Sequence, residues 1–364
     1  MISFPTDYAS IIERVKQVDP ARYGKTRNFI DGDVTCLSAY ISRGVISVKQ
    51  VKETALQKGY KVYQVEKFLQ ELAWREYFQR VWQAKGTAAI NHALKQEQTD
   101  VRHTHMIKSV ANAATGIEAI GKQISTLYET GYMHNHARMY TASIVCNIGK
   151  AHWLQPSKWM YYHLLDGDLA SNNCSWQWVA GSFSSKKYYC NQENINKYCN
   201  SDQRKTFLDK SYEELPEMNV PDELQETVEL RLQTELPKAD AITINPSRPL
   251  LIYNSYNLDP NWRKEEEANR ILLLEPSHFT NYPVSKKVLH FILDLSNNIQ
   301  GIQLFVGEFD ELLRLTGNAS VISKEHPAFQ HYTGTKDNRD WMFPQVTGYF
   351  ISFFSYWKKC ERHL

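Results

Sequence analysis

The sequence GYMHNHARMYTASIVCNIGKAHW (131–153), followed by WMYYHLLDGDLASNNCSWQWVAGS (159–182), is the most informative part of this chain. In its first half, Asn135, Arg138 and Met139 are spaced i, i+3 and i+4, so they share one face of any helix that contains them. Its second half contains an acidic turn, two adjacent amides and two indoles, namely Asp166, Asp168, Asn172, Asn173, Trp176 and Trp178. Few hydrophobic cores need such groups within so short a span, whereas a cofactor pocket does.

Length, charge and cysteine content limit the class of protein. A chain of 364 residues favours two domains, and a net charge of +2 gives no global field for nucleic acid, so any DNA-binding surface must be local. The six cysteines include no C-x-x-C pair and no zinc spacing, which favours reduced thiols in a cytoplasmic protein. The sequence shows neither a secretory signal nor an apolar run of about 18 residues, so we expect a soluble protein that does not span a membrane.

Two patterns divide the chain. Up to about residue 215, apolar residues recur at helical spacing, as in Val65, Phe68 and Leu69. After Pro249, short apolar runs alternate with amphipathic segments, which predicts βαβ units and a parallel sheet. Strands are predicted in LLIYNSYNLD (250–259), ILLLE (271–275), IQLFVGE (302–308) and SVISKE (320–325). Helices are predicted in WRKEEEANR (262–270) and VSKKVLHFILDLSNN (284–298), and one more peripheral helix with a linker in residues 200–245.

The fold expected from these patterns is mostly α with a second, α/β domain. We place a helical domain at residues 1–245, an α/β domain with a small parallel, Rossmann-like sheet at residues 246–340, and a tail at residues 341–364. Because that tail is rich in aromatic side chains, we expect it to pack on another part of the protein.

Familiar nucleotide-binding and hydrolase motifs do not occur in the sequence. It contains no G-x-G-x-x-G fingerprint, no Walker A loop, no H-E-x-x-H pair and no G-x-S-x-G elbow. His134 and His136 are two positions apart and would face different directions on a helix, and together with His152 they do not form a metal set. We therefore expect no metal site.

The segment FLQELAWREYFQR (68–80) predicts a helix with Glu71, Trp74 and Arg75 along one stripe. A carboxylate, an indole and a guanidinium in such a row could line a binding site. The simpler interpretation is an amphipathic helix with one Glu71–Arg75 ion pair across a single turn.

Other residues also have both a structural and a ligand-binding interpretation. Arg138 and Asp166 form either a structural salt bridge or a pair that fixes a guanidinium beside an aromatic ligand. Asn172 and Asn173 either cap a helix or offer donors and acceptors to a heterocycle. Thr35 and Ser38 either form a capping turn or bind phosphates at a helix start, and Trp153, Trp176 and Trp178 either pack as core residues or relay single electrons.

Three segments together resemble the flavin-binding catalytic domain of the cryptochrome/DNA photolyase family. They are ELAWREYF (71–78), TGIEAIGKQISTLYETGYMHNHARM (115–139) and LLDGDLASNNCSWQW (164–178), in the family's order and at its spacing. The similarity extends from Tyr23 to about Ser182 and implies a helical photolyase-type domain that binds FAD. The implied function is that of a deoxyribodipyrimidine photolyase-like lyase, which repairs pyrimidine dimers in damaged DNA by light-driven electron transfer from reduced FAD.

The resemblance implies roles for individual residues. The FAD-binding residues would be Tyr23, Thr35, Ser38, Arg75, Arg138, Asp166, Asp168 and Asn172. The catalytic residues, which line the pocket for the damaged bases, would be Glu71, Trp74, Asn135, Met139 and Trp178. The electron-transfer residues would be Trp153 and Trp176, the inner two of the family's three tryptophans.

Two other functions stay open beside repair. A cryptochrome-like FAD photoreceptor without repair activity is favoured by three departures from the family's pattern. His136 replaces an arginine after M-H-N, a third, outer tryptophan is missing, and KKYYCNQENINKYC (186–199) lacks the usual ending of the domain. A flavin oxidoreductase unrelated to light is weaker, because no dinucleotide fingerprint for NAD(P)H occurs.

The chain also departs from the family in the order of its parts. The family normally begins with an α/β antenna domain, whereas residues 248–330 look like that domain moved to the C-terminal side. We therefore predict a circular permutation, although an unrelated βαβ module fused downstream would give the same order. The resemblance further implies a monomer and leaves room for a second, antenna chromophore of unknown identity.

Overall fold

The structure, a computed structural model, describes residues 2–238, 241–317 and 319–364. Its first half consists of helices joined by loops. These are α1 (Tyr8–Gln17), α2 (Pro20–Thr26), α3 (Ser38–Ser42), α4 (Val48–Leu56), α5 (Val62–Ile90), α6 (Lys108–Ala111), α7 (Glu118–Thr130), α8 (Asn135–Ser143), α9 (Leu154–His163), α10 (Leu169–Ala180) and α11 (Gln192–Cys199). A π-helical turn (Ile144–Ile148) continues α8, and a short strand, β1 (Met106–Ile107), precedes α6.

Two glycines and an aspartate set the boundaries of the segment 131–182. Helix α7 ends at Gly131 and α10 ends at Gly181, with left-handed φ angles of 74° and 84° that a side chain would strain. Asp168 begins α10, because its Oδ1 accepts a hydrogen bond from the Ser171 backbone N–H at 2.7 Å. Capping therefore fixes where the acidic turn ends and where the helix with the two amides begins.

The second half contains a five-stranded sheet whose strands are all parallel. The strands are β3 (Leu250–Tyr253), β4 (Asn269–Leu274), β5 (Ile302–Val306), β6 (Val321–Lys324) and β7 (Thr335–Asp337). The intervening helices are α12 (Pro276–Asn281), α13 (Lys286–Ser296) and α14 (Phe309–Leu315). Because the spatial order is β5-β4-β3-β6-β7, the first strand of the sheet is central and the chain builds outward on both sides, as in doubly wound folds. The predicted fold, mostly α with a second α/β domain, is confirmed.

The predicted helix in residues 262–270 is wrong. This segment forms turns, and its last two residues begin β4. Arg263 has a left-handed φ of 48°, which interrupts a helix, and its Nε lies 2.7 Å from Oδ2 of Asp337 in the edge strand β7. A tertiary ion pair thus outweighs a local sequence that favours a helix.

The predicted helix in residues 200–245 is also wrong for the part of that range that the structure describes. It contains two single turns of 3-10 helix (Leu215–Glu217 and Asp222–Leu224) and a short strand, β2 (Thr227–Val228), that pairs with β1. Pro216 lies within the first turn and Pro221 precedes the second, and neither residue can donate the backbone hydrogen bond that an α-helix needs.

A shared core and an aromatic tail join the two halves. One apolar cluster includes Phe68 and Tyr77 from α5 together with Leu251 and Ile252 from β3. The tail forms α15 (Phe353–Cys360) and, as expected, packs on α5. The domain boundaries at residues 245 and 340 stay predictions.

The buried carboxylate of Glu76, in α5, organises the docking of the tail. It accepts hydrogen bonds from the backbone N–H groups of Met342 and Phe343, and its Oε1 lies 2.7 Å from the Tyr356 hydroxyl. Since Glu76 is only 1% exposed, these three donors replace the water that the carboxylate loses on folding.

The amino-terminal segment packs on the α/β half. The backbone N–H of Tyr8 donates to Oδ1 of Asn298 at 2.8 Å, and Nδ2 of Asn298 donates to the carbonyl of Thr6 at 2.7 Å. The amino-terminal segment therefore lies where the helical and α/β halves meet. The circular permutation stays a prediction. No helix within the described residues is both long and apolar enough to cross a membrane.

Candidate functional site

A cavity of about 480 Å³ lies among α2, α5, α8 and α10 in the helical half. Its volume is in the range of small-molecule and cofactor sites. With the exception of Trp153, every residue predicted to have a site role lines it. These residues are Tyr23, Thr35, Ser38, Glu71, Trp74, Arg75, Asn135, Arg138, Met139, Asp166, Asp168, Asn172, Trp176 and Trp178.

The simpler interpretation of the stripe on α5 is wrong, because Glu71 and Arg75 do not form the expected pair. Glu71 is held by Nε of Arg27 at 3.2 Å and by Nζ of Lys67 at 3.4 Å, and its side chain remains 28% exposed. Arg27 also lines the cavity and was not predicted from the sequence. Its position four residues after Tyr23 on one helix face was the available signal.

Arg75 instead pairs with Asp168. Its Nη2 lies 3.4 Å from Oδ2 of Asp168, which also accepts a hydrogen bond of 2.7 Å from Nε2 of Gln79. Since Oδ1 of the same carboxylate caps α10, both oxygens have partners although the side chain is only 1% exposed. Asp168 is therefore held rigidly in the wall of the cavity.

Arg138 and Asp166 do form the predicted ion pair, with Nη2 and Oδ2 3.0 Å apart. Nε of Arg138 donates to the carbonyl of Met133 at 2.8 Å, which fixes the plane of the guanidinium. Oδ1 of Asp166 is buried and has no hydrogen-bond partner among the described residues. A ligand N–H group in the cavity could supply the missing donor.

Asn172 is oriented by its neighbours. Its Nδ2 donates to the carbonyl of Ser157 at 3.0 Å and to Oδ1 of Asn173 at 3.1 Å. Both amide hydrogens are therefore occupied, and the side-chain oxygen of Asn172 is the atom left to accept a hydrogen bond. The paired amides act as a fixed acceptor rather than as a helix cap.

Aromatic side chains form another part of the wall. The Trp74 ring stacks on Phe353 of the tail, with centroids 3.9 Å apart and planes 11° from parallel, so one face of the indole is already covered. Trp178 lies 5.6 Å from the ring of Tyr188. Flat ligand groups can stack on such faces.

The loop before α3 contains the two predicted phosphate-binding hydroxyls. Ser38 is the first residue of α3, and Oγ1 of Thr35 accepts a hydrogen bond from the Leu37 backbone N–H at 3.3 Å. Cys36, between them, has a left-handed φ of 52°. Burial raises the pKa of its thiol, so this residue adds no charge to the loop.

The histidines near the cavity are neutral. Burial lowers the pKa of both His134 and His136 to about 4. His136 lines the cavity, where it packs against the ring of Tyr198 at 5.4 Å. Across the described residues, no three His, Cys, Asp or Glu side chains are grouped as a metal ion would need.

The two predicted electron-transfer residues have different surroundings. Trp176 lines the cavity, whereas Trp153 does not. Trp153 is 1% exposed and belongs to the same apolar cluster as Trp176. Its role stays a prediction.

A second cavity, of about 280 Å³, lies where the helical and α/β halves meet. Residues that follow the carboxyl ends of β3, β6 and β7 line it, among them Tyr256, His326 and Arg339. In doubly wound sheets this edge, next to the central strand, is where ligands bind. Arg75 and Asp168 line both cavities, so one ion pair forms a common wall.

The helical half is similar to known proteins. The sequence model described as the FAD binding domain of DNA photolyase matches residues 68–244. A deoxyribodipyrimidine photo-lyase from Streptomyces griseus is 30% identical over 166 residues, which cover 44% of this chain and 35% of that protein. The same enzyme from Escherichia coli is 26% identical over 196 residues, which cover 49% of this chain and 40% of that protein.

Among solved structures, Synechocystis cryptochrome gives a TM-score of 0.49 at 20% identity, over 54% of this chain and 44% of the cryptochrome. The chain spans well under half the length of the two photo-lyases described above.

Proposed function

We propose that this protein binds FAD in the cavity of about 480 Å³ and repairs pyrimidine dimers in DNA with light, since residues 68–244 match the sequence model described as the FAD binding domain of DNA photolyase. The observation that supports this proposal best is that an ion pair, a fixed acid and a fixed amide line one cavity whose wall also contains aromatic rings. When bound and reduced, FAD would supply one electron to the dimer on excitation by blue or near-ultraviolet light and would recover it after the dimer splits.

The residues of the cavity fit the parts of this cofactor. The isoalloxazine edge carries N–H groups, for which Oδ1 of Asp166 and the side-chain oxygen of Asn172 are available acceptors. Arg138 is fixed beside them by Asp166. Thr35 and Ser38 offer hydroxyl donors to the phosphates, and Tyr23, Arg75 and Asp168 would hold the remaining chain of the cofactor.

A second group of residues would receive the damaged bases. Glu71 is partly exposed and accepts hydrogen bonds, so it could bind the N–H and O–H edges of a flipped dimer. Trp74 and Trp178 would pack against the bases, and Asn135 and Met139 would close the same side from α8. Taking the dimer out of the stack costs a few kcal/mol, and less for damaged bases, which itself favours the lesion.

Trp176 and Trp153 would supply electrons that keep the cofactor reduced. Trp176 lines the cavity, and Trp153 packs in the same buried cluster. Because these indoles lie among apolar side chains, little water has to reorganise when one of them gives up or accepts an electron. This role applies to restoring the cofactor and not to the repair step itself.

A photoreceptor that binds FAD without repairing DNA is the second candidate. The observation that favours it is the neutral, partly buried His136, which provides no charge for a DNA phosphate where the family has an arginine. Lys187 provides no free ammonium group for a phosphate either, because its Nζ donates to the carbonyl of Thr99 at 2.8 Å and its side chain is mostly buried.

The second cavity is the site that we propose for an antenna chromophore. It shares the Arg75–Asp168 wall with the first cavity, so two pigments would lie close enough to exchange excitation energy. A pigment that co-purifies with the protein and is lost on Tyr256→Ala, while FAD remains, would support this assignment.

Illumination of the purified protein tests repair directly. The reduced, flavin-bound protein is mixed with an oligonucleotide that contains one pyrimidine dimer, and loss of the lesion is followed in light and in darkness. We expect the lesion to be lost in light and to persist in darkness. No loss with reduced flavin bound would favour the photoreceptor, and a protein that neither contains nor takes up FAD would contradict both candidates.

A further inference from the structure

Large apolar side chains are exposed at one end of the tail. Tyr349, Ile351 and Phe354 are 38%, 82% and 69% exposed. Ile351 and Phe354 are here called the outer pair. Most exposed apolar residues on a protein are scattered singly, so two within four positions suggest a contact surface.

The outer pair lies next to tail residues that contact α5, the helix that contributes Trp74 to the wall of the proposed FAD cavity. Phe353, next to Phe354 in the chain, stacks on Trp74, which lines that cavity. The carbonyl of Phe350, next to Ile351, accepts a hydrogen bond from the Tyr77 hydroxyl at 3.2 Å. The Phe353 ring and the Phe350 carbonyl thus anchor the segment on α5, while Ile351 and Phe354 are exposed.

Positive charge flanks the outer pair. Nζ of Lys85 lies 4.4 Å from the ring centre of Tyr349, and Lys358 and Lys359 are exposed on α15. None of these three lysines has a carboxylate within 4.0 Å in the described part of the chain. Apolar side chains bordered by free ammonium groups match bases bordered by phosphates.

We propose that the outer pair contacts the bases of duplex DNA next to a flipped dimer, while Lys85, Lys358 and Lys359 contact the phosphates. This inference rests on the proposed repair function. Removing two bases from a stack leaves apolar base faces without neighbours, and proteins that open DNA fill such gaps with side chains such as Phe and Ile.

Binding in darkness tests the inference without repair. Fluorescence anisotropy of the full, FAD-bound chain is measured with a duplex containing one thymine dimer, the same duplex undamaged, and the single-stranded dimer oligonucleotide. For the double variant Ile351→Ser/Phe354→Ser we expect about tenfold weaker binding to the damaged duplex, as for the loss of about 1.4 kcal/mol. Binding of the single strand should weaken less, because it has no base pairs and no opposite bases for the outer pair to contact.

Matched variants separate this effect from general damage. Leu315→Ser, at an exposed apolar position (54%) at the end of α14, should leave all three affinities unchanged. Lys358→Gln/Lys359→Gln should lower the slope of log affinity against log salt by about 0.9 for each lost phosphate contact. Flavin content and thermal unfolding of each variant report whether the fold is intact.

Three results would overturn the inference. Equal duplex affinity of the double variant and the unaltered protein would exclude the contact. Equal losses on duplex and single strand would place the effect in the cavity rather than on the duplex. If the unaltered protein sediments as a dimer and the double variant as a monomer, the outer pair contacts a second copy of the chain instead of DNA. If the unaltered protein does not prefer the damaged duplex at all, the proposed function itself fails, which is a separate outcome.

Discussion

Arg75 pairs with Asp168, 93 positions away, and not with Glu71 one turn before it on the same helix. The guanidinium is thereby held in the wall of the cavity. Glu71 pairs with Arg27 instead, and its side chain stays partly exposed. The two acids, one a single turn from Arg75 and the other distant in the sequence, therefore have separate roles. One is buried and structural for the site, and the other is accessible to a ligand.

Asp166→Ala should remove the flavin. The substitution leaves Arg138 without its partner and deletes the free acceptor Oδ1. The loss of a hydrogen bond to a charged group corresponds to about 10- to 100-fold weaker FAD binding. The blue absorbance of the purified protein measures it, with Glu66→Ala, an exposed position on α5, as the control. Full flavin content in Asp166→Ala would contradict the proposal that Arg138 and Asp166 bind the isoalloxazine.

Glu71→Ala should slow repair and spare the flavin. Glu71 lies in the cavity wall with its side chain bound to Arg27 and Lys67 rather than to a residue that we propose binds FAD. We expect about 10- to 100-fold slower loss of the dimer in light, and a smaller effect for Glu71→Gln, which keeps a hydrogen-bonding group. Loss of flavin in either variant would mean that Glu71 supports the cofactor instead.

Trp176→Phe should separate photoreduction from repair. Trp176 is the predicted electron carrier that lines the cavity, and phenylalanine keeps the packing while being much harder to oxidise. We expect most of the light-driven reduction of oxidised flavin to be lost, followed as the decay of its absorbance. Repair by chemically reduced protein should persist. Photoreduction at the original rate would exclude a path through this residue.

Tyr356→Phe should destabilise the protein by about 1–3 kcal/mol, because a buried carboxylate loses one of its donors. Urea unfolding measures the change, and Tyr349→Phe, at an exposed position, provides the control. In Tyr356→Phe/Glu76→Gln the acceptor is no longer charged, so the effect of losing the hydroxyl should be smaller. Equal effects in both backgrounds would mean that the hydroxyl acts through another contact.

Stability should fall as the pH decreases from about 6.5 to 4. Burial holds the pKa of His134 and His136 at about 4, below the ordinary value of 6.5, so the unfolded chain binds protons first. The stabilisation due to these neutral histidines is complete above pH 6.5 and is lost as the pH falls through this window. The difference in unfolding free energy between the unaltered protein and His136→Gln, measured at several pH values, should shrink toward pH 4. A constant difference would place the proton uptake elsewhere.

Local spacing predicted the helical site well. The i, i+3, i+4 pattern of Asn135, Arg138 and Met139 placed all three on one face of α8, toward the cavity. This pattern depends on neighbours within one turn, which a sequence displays directly. The cap of α10 was not predicted, because it is Asp168 of the acidic turn and neither Asn172 nor Asn173.

Contacts between distant segments were not predictable in the same way. Nothing near Arg27 indicates that it binds Glu71, and the stack of Phe353 on Trp74 joins residues from opposite ends of the chain. The polar edge strand β7 was missed, because Thr335, Lys336 and Asp337 lack the apolar character that marked the other strands. Each depends on tertiary partners that outweigh local preference.

The Glu76 carboxylate has a consequence for biosynthesis. The groups that donate hydrogen bonds to it are encoded 266 to 280 positions later. At ribosomal rates, about ten to sixty seconds pass between the synthesis of α5 and the synthesis of these donors. Throughout that interval only water can satisfy the carboxylate, so this face of α5 cannot become dry. The helical half is therefore expected to remain open to chaperones until the ribosome has translated the tail.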